Sequence, residues 1–156
     1  MNTKQIKLTI NGEARELAVD PDESLAAFLR RIGYKGVKIG CDEGSCGACT
    51  VILDGKTVNS CHVYAFQADG RTVQTIESLG TFEKPHRLQQ ALADEGAVQC
   101  GFCIPGMILS AKALLDESPT PDEATLKEHL DGNLCRCTGY EKIQSAIRRV
   151  IAMENS

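Results

Sequence analysis

Residues 41–49 read CDEGSCGAC, crowding Cys41, Cys46 and Cys49 into one loop with Gly44 and Gly47. Three thiols at that density call for disulfide pairing, a reactive thiolate or a metal. Working outward, Cys61 follows after eleven residues. A second set, Cys100, Cys103, Cys135 and Cys137, begins after 38 cysteine-free positions. The eight cysteines therefore fall into two groups of four, and the spacing within each group carries the chemistry.

The rest of the chain narrows the choice. With 156 residues, 42% hydrophobic and 24% charged, it can bury a core without disulfide staples. A net charge of −4 argues against a nucleic-acid partner. Arg30, Arg31, Lys35 and Lys38 are read as a solvated helix end. No apolar run approaches the about 18 residues of a membrane span. The N-terminus MNTKQIKLTINGEARELAV has neither an apolar signal core nor a twin arginine. These features place the chain in the cytoplasm, where stable disulfides are rare.

Periodicity gives the frame. Ile6, Leu8 and Ile10 alternate with polar residues, Asn11-Gly12 supplies a turn, and ELAV resumes the alternation. Asp20-Pro21-Asp22-Glu23 has the form of a helix start, with Leu25, Phe28, Leu29 and Ile32 at helical spacing and Gly33 as a stop. TVIL and KTVN flank Asp54-Gly55 as a second hairpin, and RTVQTI adds a strand. An α+β domain over residues 1–79 is expected, then a linker in GTFEKPH. Residues 86–156 are read as four helices. Leu88, Ala91 and Leu92 mark the first, and Met107, Ile108, Ala111, Leu114 and Leu115 the second. Thr120-Pro121-Asp122-Glu123 opens the third, through Leu126 and Leu130. Ile143, Ala146, Ile147 and Val150 mark the fourth. Met107 and Met153 are expected as core filler, and His86 and His129 as surface residues.

The first cysteine set is C-x4-C-x2-C with a distant fourth, the plant-type spacing for a two-iron, two-sulfide cluster. Four thiolates around an oxidised two-iron core total about two negative charges, and such an anion needs donors. Gly40, Gly44 and Gly47 let the backbone turn its amides toward sulfur. Asp42 and Glu43 shape the loop.

The second set is C-x2-C followed by C-x-C, and each pair precedes a helix. Helix N-termini favour thiolates, so two of them aimed at one place suit a second anionic cluster in a roughly two-fold arrangement. A structural zinc site remains open for this set, although C-x-C is an unusual half. A redox dithiol at Cys100 and Cys103 lacks a βαβ setting. A Rieske centre needs two histidines, and only His62 stands near a cysteine.

GCDEGSCGACTV, VQCGFCIPGM and GNLCRCTGY, in this order, closely resemble the iron–sulfur subunit of the xanthine oxidase (molybdenum hydroxylase) family, across essentially the whole chain. The resemblance implies a β-grasp, plant-type ferredoxin-like domain followed by an all-α four-helix domain, each with one 2Fe-2S cluster. It implies that Cys41, Cys46, Cys49 and Cys61 hold the outer cluster. Cys100, Cys103, Cys135 and Cys137 hold the inner one, near the molybdopterin cofactor of a separate large subunit. Gln99 and Cys137 match positions that contact the pterin. Many relatives carry threonine where Ile104 stands, and isoleucine has no hydroxyl to offer.

No Ser/His/Asp set, P-loop, G-x-G-x-x-G or paired-carboxylate motif is present. The resemblance therefore implies an electron-transfer subunit of an oxidoreductase. It would pass electrons from molybdenum through two clusters to an FAD subunit or another acceptor, with the chain ending at Ser156 as a separate subunit. Substrate chemistry would belong to the large subunit, with purines, other N-heteroaromatics or aldehydes as the class and the first two favoured. A freestanding ferredoxin-like shuttle and a zinc-stapled interaction protein are the alternatives.

Overall fold

A computed structural model describes residues 3–154; residues 1–2 and 155–156, the outer ends of the two expected domains, lie outside it. The N-terminal half is a mixed sheet in the order β2-β1-β5-β3-β4. Strands β1 (Lys4–Ile10) and β2 (Glu13–Val19) form one hairpin, β3 (Thr50–Leu53) and β4 (Lys56–Asn59) another. Their turns, Asn11-Gly12 and Asp54-Gly55, have positive φ at both positions, which suits the right-handed twist of the flanking strands. Strand β5 (Thr72–Gln74) lies parallel to β1 and antiparallel to β3, joining the two hairpins.

Helix α1 (Leu25–Arg31) covers one face of this sheet. Leu25, Phe28 and Leu29 pack with Ile6, Leu8, Ile10, Val51, Leu53 and Val73. The helix does not start at the Asp20-Pro21 signal. Ser24 is the cap, its Oγ accepting from Ala27 N–H at 3.2 Å. Leu25 N–H donates to Val63 C=O, and Ala65 N–H to Glu23 C=O, so residues 23–25 are held extended against residues 63–65. Glu23 instead takes both guanidinium arms of Arg31 at 2.7 Å.

The basic group is more than a solvated helix end. Arg30 donates to Val37 C=O at 2.7 Å, Lys35 to Arg30 C=O and Lys38 to Lys35 C=O, securing the chain as it leaves α1.

The C-terminal half holds α2 (Arg87–Asp94), α3 (Ile104–Glu117), α4 (Glu123–Asp131) and α5 (Glu141–Glu154). Leu88, Leu92, Met107, Leu114, Leu126, Leu130, Ile143 and Ile147 form its core. Helix α4 is capped by Asp122, whose carboxylate accepts from Thr125 N–H at 2.8 Å; Thr120 is not the cap. His86 is also not a plain surface residue. Its Nδ1 accepts from Leu88 N–H, capping α2, while its own N–H donates to Gln89 Oε1 at 2.8 Å. His129 is exposed. Met107 is fully buried, but Met153 is 62% exposed because fourteen-residue α5 outruns eight-residue α2, against which it packs.

The halves are joined face to face. Helix α3 lies against β3, which is buried at all four positions, and Ile76 and Leu79 pack against the helical core.

Candidate metal centres

The first quartet is built on the loop from α1 to β3. Asp42, Gly44 and Gly47 have φ of 58°, 76° and 68°, the left-handed region that turns successive amides to one side. Glu43 N–H points at Cys41 Sγ and Ala48 N–H at Cys46 Sγ, each at 3.5 Å. Glu43 also accepts from the Ser45 hydroxyl, so Asp42 and Glu43 do shape the loop. Gly40 serves differently from the expectation, because its φ is not in the left-handed region. A Cβ there would stand 3.0 Å from Cys46 Sγ and 3.4 Å from the Phe102 ring. Its need is close approach.

Cys61 arrives on a short turn, Ser60–His62, directly after β4. Ser60 Oγ donates to Cys49 C=O at 2.6 Å, and Asn59 Nδ2 to Gly44 C=O at 2.8 Å, drawing this turn onto the loop. The four thiols respond to one another. Glu43 N–H, with the Ser45 hydroxyl and the Cys46 thiol, draws Cys41 down to about 6. Burial pushes Cys61 up to about 11, with Cys49 and the charge of Cys41 acting in the same direction. His62 is exposed, its ring coming within 2.9 Å of the place a Cβ on Gly44 would take.

The second quartet joins two helix starts. Cys103 is the N-terminal cap residue of α3, with Ile104 and Pro105 following, and Cys137 precedes α5 by a short turn. Cys137 Sγ donates to Cys100 Sγ at 3.6 Å on the exposed side, while Cys103 and Cys135 interact on the buried side. Each segment thus contributes an outer and an inner sulfur. Cys135 Sγ is met by the Thr138 hydroxyl at 3.1 Å and Thr138 N–H at 3.4 Å. Its backbone N–H donates to the Tyr140 hydroxyl oxygen at 2.9 Å. Burial pushes Cys103 up to about 12, with Cys135 and Cys100 adding to it. Burial acts against ionising Cys135 too, yet the two Thr138 donors, the Cys137 N–H and the Cys103 thiol outweigh it and lower its pKa. The hydrogen that Cys137 shares with Cys100 raises Cys137. Ile104 packs against the helical core, so the hydroxyl at this centre comes from Thr138 instead.

All eight cysteines are free thiols. Within each quartet N–H and O–H donors pull some thiols down while burial first, and neighbouring sulfurs after it, push Cys61 and Cys103 up; four can ionise together only around cationic metal. Among the described residues, no three His, Cys, Asp or Glu side chains gather tightly enough for a single metal ion. A two-iron core would be held by four thiolates, two for each iron, and so would ask for a looser set than a single ion does. The donor chemistry fits: all-sulfur ligation with N–H and O–H groups aimed at sulfur.

Gln99 is exposed and adjoins Cys100, whose Sγ accepts from Cys137 Sγ. Around them Val98, Phe102 and Leu134 are 44%, 45% and 55% exposed. Sequence reasoning passed over Asn133, Thr50 and Ser110, a buried polar group joining the two halves beside both quartets. Asn133 adjoins the C-x-C segment, but nothing local to it names partners more than eighty residues away.

Residues 8–75 match the 2Fe-2S iron-sulfur cluster binding domain family, and residues 75–148 the [2Fe-2S] binding domain family. The small FeS subunit of nicotinate dehydrogenase from Eubacterium barkeri is 49% identical over 152 residues, covering 97% of each chain. The crystal structure of quinoline 2-oxidoreductase from Pseudomonas putida 86 contains a chain that superposes with a TM-score of 0.92 at 43% identity, covering 97% of this chain and 94% of that one. In aldehyde oxidoreductase from Desulfovibrio desulfuricans, the same fold (TM-score 0.93, 42% identity) covers 97% of this chain but 17% of that one.

Proposed function

The chain belongs to the iron–sulfur subunits of the xanthine dehydrogenase family of molybdenum hydroxylases, and we propose a division of labour between its two quartets. It is the electron-transfer component of an oxidoreductase whose molybdopterin centre belongs to a large partner. In the proposal, Cys41, Cys46, Cys49 and Cys61 hold an outer 2Fe-2S cluster. Cys100, Cys103, Cys135 and Cys137 hold an inner one, nearer the molybdenum. Such clusters, when bound, exchange electrons singly, so the pair released by substrate hydroxylation can leave in two steps.

The observation that carries this reading is the gathering of eight free thiols into two all-sulfur quartets with donors aimed at sulfur. The chain's own residues do the rest. The loop amides offset thiolate charge, burial of Cys49 and Cys103 excludes water, and the starts of α3 and α5 favour an anion between them. We assign Gln99 and Cys137 to contact with the pterin. Their exposure, among apolar side chains that a partner would cover, supports this. A freestanding shuttle would leave those side chains in water.

The proposal extends to an FAD-binding subunit or other acceptor beyond the outer quartet, and to residues 1–79 and 86–156 as the two domains. The eight free thiols favour the cytoplasm. Two relatives matched across nearly their full length are named for N-heteroaromatic compounds, nicotinate and quinoline, which supports that substrate class. Anaerobic purification through a tag on this chain tests the assembly. A large chain carrying molybdenum should accompany it in fixed ratio; a chain that purifies alone with both clusters loaded would favour the shuttle.

A further inference from the structure

Neither set of sulfur ligands accounts for the buried polar group between the quartets. Asn133 is 3% exposed and lies two residues before Cys135. Its Nδ2 donates to Gly47 C=O at 3.0 Å and to Thr50 Oγ1 at 3.2 Å, and its Oδ1 accepts from Ser110 Oγ at 2.6 Å. Gly47 lies between Cys46 and Cys49, Ser110 lies on the helix that starts at Cys103, and Asn133 itself leads into Cys135. One side chain therefore ties the first cysteine loop to the helix that starts at Cys103 and to the segment that leads into Cys135. Beside it Leu134 N–H donates to Cys46 C=O at 2.9 Å, a direct link from one cysteine to the neighbour of another.

The surroundings leave no slack. A Cβ on Gly47 would stand 2.1 Å from Gly132 C=O, and one on Gly106 2.5 Å from Gly47 C=O. Thr50 Oγ1 donates to Gly47 C=O at 2.7 Å, so the hydroxyl can receive the Asn133 amide. Among the described residues no buried side-chain polar atom lacks a partner, and a fully satisfied buried network specifies one arrangement where apolar packing tolerates several.

We infer that Asn133 is a positioning residue for transfer between the two centres: it fixes the spacing and orientation of the first cysteine loop relative to the second. The inference rests on the cluster assignment proposed above. Electron tunnelling falls off exponentially with distance. A seam free to slide would give a spread of separations, and a seam pinned by directional bonds gives one.

Asn133→Leu fills similar space without the bonds, and Thr50→Val removes one acceptor while keeping the shape. Thr50→Ser retains the hydroxyl as the conservative control. The readout is the magnetic interaction between the two reduced clusters, seen in low-temperature paramagnetic resonance of the dithionite-reduced assembled enzyme. Iron and sulfide are counted on the same samples. The expected result is loss of the spin–spin splitting in Asn133→Leu, a partial loss in Thr50→Val and the wild-type spectrum in Thr50→Ser, with both signals still present. If Asn133→Leu does not assemble, Thr50→Val decides. Unchanged splitting in the loaded variants overturns the inference, because a role confined to stability lowers the unfolding temperature and leaves the splitting alone. A wild-type protein without two paramagnetic signals removes the cluster reading itself, a different failure.

Discussion

Replacing Gly47 by alanine tests how tightly the two halves are interlocked. Gly47 has φ of 68°, where an L-residue is strained by about 1–2 kcal/mol. The added methyl would also lie 2.1 Å from Gly132 C=O and 2.7 Å from Asn133 Nδ2. Ordinary contact begins near 3.4 Å, so the loop must withdraw by more than an ångström or push Gly132 aside. Overpacking of this kind costs about 1–3 kcal/mol. If the seam opens, two bonds from Asn133 weaken as well, at about 1 kcal/mol each. The sum is about 4–7 kcal/mol, a large share of the roughly 5–15 kcal/mol that holds a domain together. For a chain of this length that lowers the calorimetric midpoint by roughly 10 °C or more. Gly70→Ala is the matched control, since Gly70 has φ of 74° but no atom within 4 Å of the place its methyl would take. It carries backbone strain alone and should lose only about 1–2 kcal/mol. Equal midpoints for the two variants would refute the close interlock.

Two further outcomes follow from the same geometry. His86 caps α2 only while Nδ1 is unprotonated, and burial, followed by the charges of Arg87 and Lys112, holds its pKa below the ordinary 6.5. The unfolded chain takes up the proton first, so this contribution is complete above pH 6.5 and lost as pH falls through the lowered value. Stability should drop by about 0.5–1 kcal/mol in that window, measured by denaturant titration, and His86→Asn should keep the cap without the drop. The carboxylates with lowered values, Glu23, Asp54, Asp122 and Glu123, act below pH 4.5. Cys41, drawn down to about 6, falls in the same window, so the His86 contribution is read as the difference between wild type and His86→Asn. Cys46→Ser should remove one of two reduced paramagnetic signals while far-ultraviolet dichroism retains its helical signal, because the helical core is separate from the loop; loss of both signals would tie the quartets together more closely than proposed.

Much of this architecture was legible in order along the chain. Asn11-Gly12 and Asp54-Gly55 specify their hairpins locally, through positive φ at both turn positions. The cysteine spacing divided the thiols into the same two groups that the fold brings together. What escaped is non-local. Asp20-Pro21 looks like a helix start, but residues 23–25 are claimed by backbone pairing with residues 63–65, which no window around Pro21 contains. Met153 continues the apolar stripe of α5 past the end of its partner helix. Asn133 reads as an ordinary loop residue until the fold brings Gly47 and Ser110 to it. The one available hint was β3, whose run TVIL has no alternation because both of its faces are covered.

Iron, zinc and acid-labile sulfide counted on anaerobically purified protein test the central claim most directly. Two 2Fe-2S clusters require about four irons and about four sulfides per chain, with no stoichiometric zinc. A stable, folded product holding zinc without sulfide would contradict it.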